Sequence, residues 1–121
     1  MIGYVTLGTN DLEKAKGFYD ALLAELGGKR GFASERMQGY SNGQGPMIAV
    51  CTPYDGGRAQ PGNGTMVSLA APDRATVDRV HAKALSLGAA DEGAPGERMP
   101  TFYGAYFRDL DGNKFCVFKM G

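Results

Sequence analysis

The sequence predicts an α+β fold made of two βαβββ modules. Three observations carry this. A strand, cap, helix and stop occur twice in the same order, 62 residues apart. Three short strand-like runs follow each helix. A breaker-rich segment, Gly56 to Asn63, separates the repeats. Superposing the repeats sets Val5 on Val67, Thr6 on Ser68, Leu7 on Leu69 and Asp11 on Asp73.

In the first repeat, residues 2–9 alternate β-branched or aromatic side chains with small ones, the period of a strand. Asn10 stands where a helix cap is needed, with Glu13 three residues on as in a capping box. Leu12, Ala15, Tyr19, Leu22, Leu23 and Leu26 recur at helical spacing and form one apolar face. Gly27-Gly28 ends the helix, because glycine takes the left-handed cap conformation without a Cβ clash. Strands are expected over about 29–37, 38–42 and 46–53, with a turn at Ser41-Asn42-Gly43.

The second repeat has a strand at 65–70. Pro72-Asp73 opens its helix, with Asp73 as cap. Val77, Val80, His81, Ala84 and Leu85 form the stripe, and Gly88 ends it. Strands follow near 89–92, 101–109 and 113–119, with Asp111-Gly112-Asn113 a hairpin turn. One domain is expected over 1–121: module one at 1–55, a linker at 56–63 and module two at 64–121. A single module offers too little core to stand alone, so the modules should pack together.

Glycine makes up 19 of 121 residues, about twice the usual share, which fits many tight turns. Lys plus Arg and Asp plus Glu are 13 each, so the formal charge is zero. That argues against nucleic acid, which needs a basic face, and against a polybasic membrane anchor. No apolar run reaches membrane-spanning length. Met1-Ile2-Gly3-Tyr4 opens directly into alternation, without the basic and apolar regions of a signal peptide. Two cysteines, Cys51 and Cys116, make no disulfide framework, so a reduced, cytoplasmic protein is expected.

Residues 4–20, Tyr-Val-Thr-Leu-Gly-Thr-Asn-Asp-Leu-Glu-Lys-Ala-Lys-Gly-Phe-Tyr-Asp, together with Tyr106-Phe-Arg-Asp-Leu-Asp-Gly-Asn-Lys114, carry a family resemblance. The chain resembles the glyoxalase, bleomycin-resistance and extradiol-dioxygenase superfamily, the vicinal oxygen chelate proteins. Leu110 stands where that family usually has proline. The resemblance implies that each module curls its strands into a partial barrel, with helices outside and a concave cleft. It also implies a divalent metal that polarises adjacent substrate oxygens, held by His and Glu or Gln on the first and last strand of each module. The matching positions here are Tyr4, Ala49, Met66 and Cys116. None is His, Asp, Glu or Gln, and the only histidine, His81, falls on the second helix. A site of nitrogen and oxygen ligands is not built from such residues. The expectation is therefore no metal and no cofactor.

Other residues are weighed individually. The resemblance implies Tyr106 as a ligand contact, and Arg108 on the same strand parity is either an anion contact or an edge charge. Cys116 is either a nucleophile, if a cation lowers its pKa, or a buried thiol acting as a small hydrophobe. Cys51 is expected to turn to the opposite sheet face and pack. His81 takes the place that Tyr19 holds in the first helix and is expected to be partly buried, with one nitrogen satisfied. Asp109-Leu110-Asp111-Gly112 lacks the spacing of a calcium loop, and the glycine clusters lack phosphate-loop and dinucleotide patterns.

These readings converge on a glyoxalase/bleomycin-resistance-like homodimer. It would bind a small organic molecule in a cleft lined by Tyr4, Ala49, Met66, Tyr106, Arg108 and Cys116. The alternative is a lyase or isomerase of the lactoylglutathione-lyase type, or a dioxygenase, using a non-standard metal site or Cys116 chemistry. Whether modules pair within one chain or swap between two stays open, since both satisfy the same sheet edges.

Overall fold

The computed structural model describes residues 1–121 as two compact units, Met1–Pro61 and Gly62–Gly121. Both have the expected βαβββ order.

The first unit runs β1 (Tyr4–Gly8), α1 (Leu12–Ala24), β2 (Lys29–Ala33), β3 (Met37–Ser41) and β4 (Met47–Cys51). Its sheet order is β1-β4-β3-β2, with β1 parallel to β4 and the other pairs antiparallel. The helix carries the chain across the sheet, as a parallel pair requires. It covers one face: Phe18, Tyr19, Leu22 and Leu23 are buried with Leu7, Tyr40 and Val50. Tyr19 meets Phe18 edge-on at 5.1 Å and Tyr40 at 6.1 Å. Each such side chain contributes roughly 1.5–3 kcal/mol by leaving water. Phe18 is an addition to the expected stripe, and Leu12 and Leu26 at its ends are only half-buried.

The helix cap is Asp11, not Asn10. The Asp11 carboxylate accepts from the Lys14 amide at 3.1 Å, while Thr9 Oγ1 accepts from the Asp11 amide at 3.1 Å. Asn10 is used elsewhere: its Oδ1 accepts from the Ala59 amide at 2.7 Å and its Nδ2 donates to the Ala59 carbonyl at 3.2 Å. One asparagine thus reads both backbone groups of a residue 49 positions away and folds the chain after β4 back onto β1. Residues up to Pro61 therefore belong to the first unit, although 56–63 reads as a linker.

The second unit runs β5 (Val67–Ala70), α2 (Arg74–Ser86), β6 (Ala90–Met99), β7 (Phe102–Arg108) and β8 (Lys114–Met120), with sheet order β5-β8-β7-β6. Asp73 caps α2 as expected, its Oδ1 accepting from the Thr76 amide and hydroxyl at 2.7 Å each. Val77, Val80 and Ala84 are fully buried, as are Ala105, Phe107, Phe115 and Val117 of the sheet. Leu85 departs from the expected stripe at 37% exposure, because it lies at the margin of the arc centred on Val77, Val80 and Ala84. His81 is buried, with Nε2 3.0 Å from Asp91 Oδ1. Strand β6 is longer than expected. It passes Gly93 and Pro95 through register shifts, which an edge strand tolerates because one of its sides needs no ladder bonds.

Three carboxylates tie these elements together and set an acid limit. The Arg30 guanidinium, bonded to both Asp20 oxygens at 2.9 Å, holds that carboxyl below the usual aspartate value. The Thr76 hydroxyl and amide do the same for Asp73. The Gly93 amide, then His81, does so for Asp91. A carboxyl with a folded-state pKa below its unfolded value of 3.8 stabilises the fold above that value. The contribution is lost as pH falls through the folded value. The melting temperature is therefore expected to drop as pH is lowered from about 5 to about 3. In Asp20→Asn the drop should be shallower, which scanning calorimetry across that range checks.

Candidate functional site

Each sheet has one face packed by its helix and one face without a helix. On the helix-free face of the first sheet, the rungs across β1 and β4 are Tyr4–Met47, Thr6–Ala49 and Gly8–Cys51. Strand β3 adds Gly39 beside Ala49 and Met37 beside Cys51. Tyr4 and Ala49 share this face but not a rung. Tyr4 is 60% exposed, whereas Ala49 is fully buried opposite Thr6. Cys51 does not turn to the opposite face as expected. It lies two residues beyond Ala49, and side chains two apart in a strand share a face.

On the second sheet, Ser68, Cys116 and Tyr106 form one rung across β5, β8 and β7. Arg108 and Lys114 form the next. Met66 lies just before β5 and is 44% exposed. Burial pushes the Cys116 thiol up. Hydrogen bonds from Tyr106 and Ser68 and the charges of Arg98 and Lys114 pull the other way without prevailing. The thiol is therefore protonated near neutral pH, which is unfavourable for a nucleophile. Burial, followed by Cys116, pushes the Tyr106 phenol up as well. The Arg98 guanidinium lies 5.4 Å from the Tyr106 ring centre and Lys114 Nζ lies 5.9 Å from it. Arg108 is held by its own chain: Nε donates to Glu92 Oε1 at 3.1 Å and Nη1 to the Gly112 carbonyl at 2.9 Å.

The donor chemistry on these faces tests the fit of a metal. Along β1, β3 and β4, and along β5, β7 and β8, the helix-free faces carry Tyr, Thr, Ser, Met, Cys, Ala, Gly, Phe, Lys and Arg. These strands place no His, Asp, Glu or Gln there; a carboxylate of the edge strand, Glu92 of β6, reaches the second face, where it is bonded to Arg108 at 3.1 Å and lies 4.0 Å from Lys114. No three His, Cys, Asp or Glu side chains come together elsewhere. His81 sits on α2 with its Nε2 engaged by Asp91. A divalent centre of nitrogen and oxygen ligands does not fit these residues.

The first unit also contains an open cleft of about 470 Å³. It lies at the end of β1 and β4 where Gly8 and Cys51 face each other, and the chain after β4 forms its wall. Arg36, Met37, Tyr54 and Arg58 contribute side chains to it. The sequence reading named none of these as site residues: Arg36 and Met37 fall in an expected strand, Tyr54 follows one, and Arg58 lies in the segment read as a linker. The available signal was an aromatic and a cation, Tyr54 and Arg58, set among glycines.

Two βαβββ units, each with a helix on one sheet face and the other face left for a site, define a duplicated α+β class that hosts several unrelated chemistries. The chain belongs to the Glyoxalase/Bleomycin resistance protein/Dioxygenase superfamily, whose family profile matches residues 1–117. It is similar to a glyoxalase/bleomycin resistance protein from Albidiferax ferrireducens, with 39% identity and a TM-score of 0.91 over 98% of this chain and 97% of that one. A hypothetical protein of S. aureus, SA1046, is 28% identical with a TM-score of 0.77, over 98% and 92% of the two chains. The fosfomycin resistance protein FosX from Mesorhizobium loti, 17% identical with a TM-score of 0.70 over 100% and 92%, shares the fold. No curated protein matches the sequence.

Proposed function

We propose that this protein binds a small organic molecule against its helix-free sheet faces without a catalytic metal. Tyr4, Met66 and Tyr106 are its contact residues, Ala49 and Cys116 are buried residues of the same faces, and Arg108, paired with Glu92, is a fixed edge of the surface rather than a mobile donor. The observation that carries the reading is the donor set. The sheet faces where the superfamily resemblance implies metal ligands offer a phenol, small side chains, thioethers and a protonated thiol. Such a surface suits a planar, moderately apolar molecule. Met99 and Met120, both exposed and on either side of Phe102 at one end of the second sheet, support a homodimer. The cytoplasm is the compartment proposed, because both cysteines are free thiols.

Metal analysis and a ligand screen test this together. After exposure to zinc, manganese, iron, nickel and copper followed by dialysis, the protein should retain well under one equivalent of each. A ligand present at about one hundred times its dissociation constant should add about 2.7 kcal/mol to stability and raise the melting temperature. One retained equivalent of metal would overturn the reading and favour the lyase or dioxygenase alternative. So would turnover of a glutathione hemithioacetal that is lost in Cys116→Ala.

A further inference from the structure

The cleft of the first unit lies at the Gly8–Cys51 end of the same helix-free face, next to Thr6 and Ala49, but is lined by none of the side chains assigned above, and its construction points to a ligand of its own. Its wall is clamped at both ends. At the start, the Thr52 amide donates to the Arg36 carbonyl at 3.0 Å, and Arg36 Nη1 donates to the Thr52 carbonyl at 2.6 Å. At the far end, Asn10 holds both backbone groups of Ala59. Gly8 makes that clamp possible, since a Cβ there would lie 3.0 Å from the Ala59 Cβ. Between the clamps, Asp55 Oδ1 accepts from the Gly57 amide at 2.8 Å, and Gly56 takes a positive φ of 75°. The two ends of the wall are thus held before any ligand arrives, which lowers the entropy cost of binding.

What the cleft presents is specific. The Tyr54 side chain is 91% exposed, with the Arg36 guanidinium 5.4 Å from its ring centre. Met37 and Cys51 supply apolar surface. Arg58 is exposed, enters no ion pair or side-chain hydrogen bond, and precedes the clamped Ala59 by one residue. With Arg36 and Arg58 positive and Asp55 negative, the cleft carries one net positive charge. That charge matches a monoanion. A dianion would leave one charge unmatched and meet the Asp55 carboxylate.

We propose that this cleft binds a small aromatic monocarboxylate. Arg58 takes the carboxylate through its planar donor pair, and Tyr54 with Arg36 provides the surface for the ring. At about 470 Å³ the cleft accommodates a one- or two-ring acid.

Titration of the ¹⁵N-labelled full chain with sodium 1-naphthoate tests the proposal. The expected result is saturable shifts confined to amides of residues 6–8, 36–37 and 51–60. Arg58→Ala should weaken the affinity about tenfold or more, and Arg58→Lys less. Arg58 is exposed and unpaired, so both variants should keep the parent spectrum elsewhere. Neutral 1-naphthamide and inorganic phosphate should each bind more weakly than the acid. Four results would overturn the proposal: no saturable shift, an affinity that Arg58→Ala leaves unchanged, equal binding of the naphthamide, or phosphate binding as well as the acid. Shifts centred on Met66, Tyr106 and Cys116 instead would support the proposed function while removing this second site.

Discussion

Phe107→Ala is expected to cost about 3–5 kcal/mol, a large part of what holds a domain of this size together. Phe107 is fully buried and stacks on Phe115 with ring centres 5.3 Å apart and planes 7° from parallel. Both rings lie on the face that α2 covers, with fully buried Val77, Val80, Val117 and Ala105. Removing the ring loses its transfer free energy and leaves a cavity whose rigid walls, sheet on one side and helix on the other, close only in part. Urea denaturation monitored by far-ultraviolet circular dichroism measures the change. Leu85→Ala is the control. Leu85 belongs to the same sequence stripe but is more than a third exposed, so it should cost less than about 1 kcal/mol. Equal losses from both would mean that α2 packs on a different face from the one described.

That pair of substitutions also shows where the sequence is informative. Helical spacing places Val77, Val80, His81 and Ala84 inward, and all four are buried. Periodicity does not decide the margins of a stripe, where the neighbouring sheet determines exposure, and Leu85 is such a margin. The same holds for the caps. Asn10 and Asp11 are both good cap residues, and local propensity does not choose between them. The choice is made 49 residues away, where Asn10 is the partner of Ala59. Strand β6 was underread because Gly93 and Pro95 look like breakers. They stop being breakers once the strand lies on an edge, and edges belong to topology, not to local sequence.

The functional residues follow the same division. The superfamily is legible in two segments at the ends of the chain, since the capped first helix and the Asp109–Asn113 turn are local structures with local signatures. The positions where the resemblance implies metal ligands, Tyr4, Ala49, Met66 and Cys116, are legible as well, and none of them is His, Asp, Glu or Gln. Pairing across strands is not legible. Only the folded sheets put Ala49 opposite Thr6 and Cys116 opposite Ser68, equivalent rungs of the two repeats. The cleft walled by residues 52–60 was hidden for a stronger reason. Its wall exists only because a side chain from the end of β1 captures the backbone of a glycine-rich segment, and such a segment on its own reads as connection.

The turn after β7 carries the second large effect. Asp109 is buried, and its carboxylate accepts from the Asp111 amide at 2.9 Å, the Asn113 amide at 2.8 Å and Asn113 Nδ2 at 2.9 Å. The Asp109 amide in turn donates to the Asn113 carbonyl at 2.9 Å, and Gly112 supplies the positive φ of 87° that closes the turn. Asp109→Ala removes the acceptor and strands buried donors. It is expected to cost about 3 kcal/mol, since hydrogen bonds to a charged group contribute about 1.5–3 kcal/mol each and the lost bonds are shared by one carboxylate. Asp109→Asn should recover part of the loss, because its amide oxygen still accepts while its NH₂ meets donors. The consequence reaches the site as well. This turn sets the register that places Arg108 beside Lys114 and Tyr106 beside Cys116. A ligand held on that face should therefore bind more weakly to Asp109→Asn even at temperatures where the variant is fully folded. Isothermal titration beside a denaturation curve separates the two effects. Unchanged affinity in a destabilised variant would confine Asp109 to the turn, whereas a parallel loss would make the turn the element that aligns the contact residues.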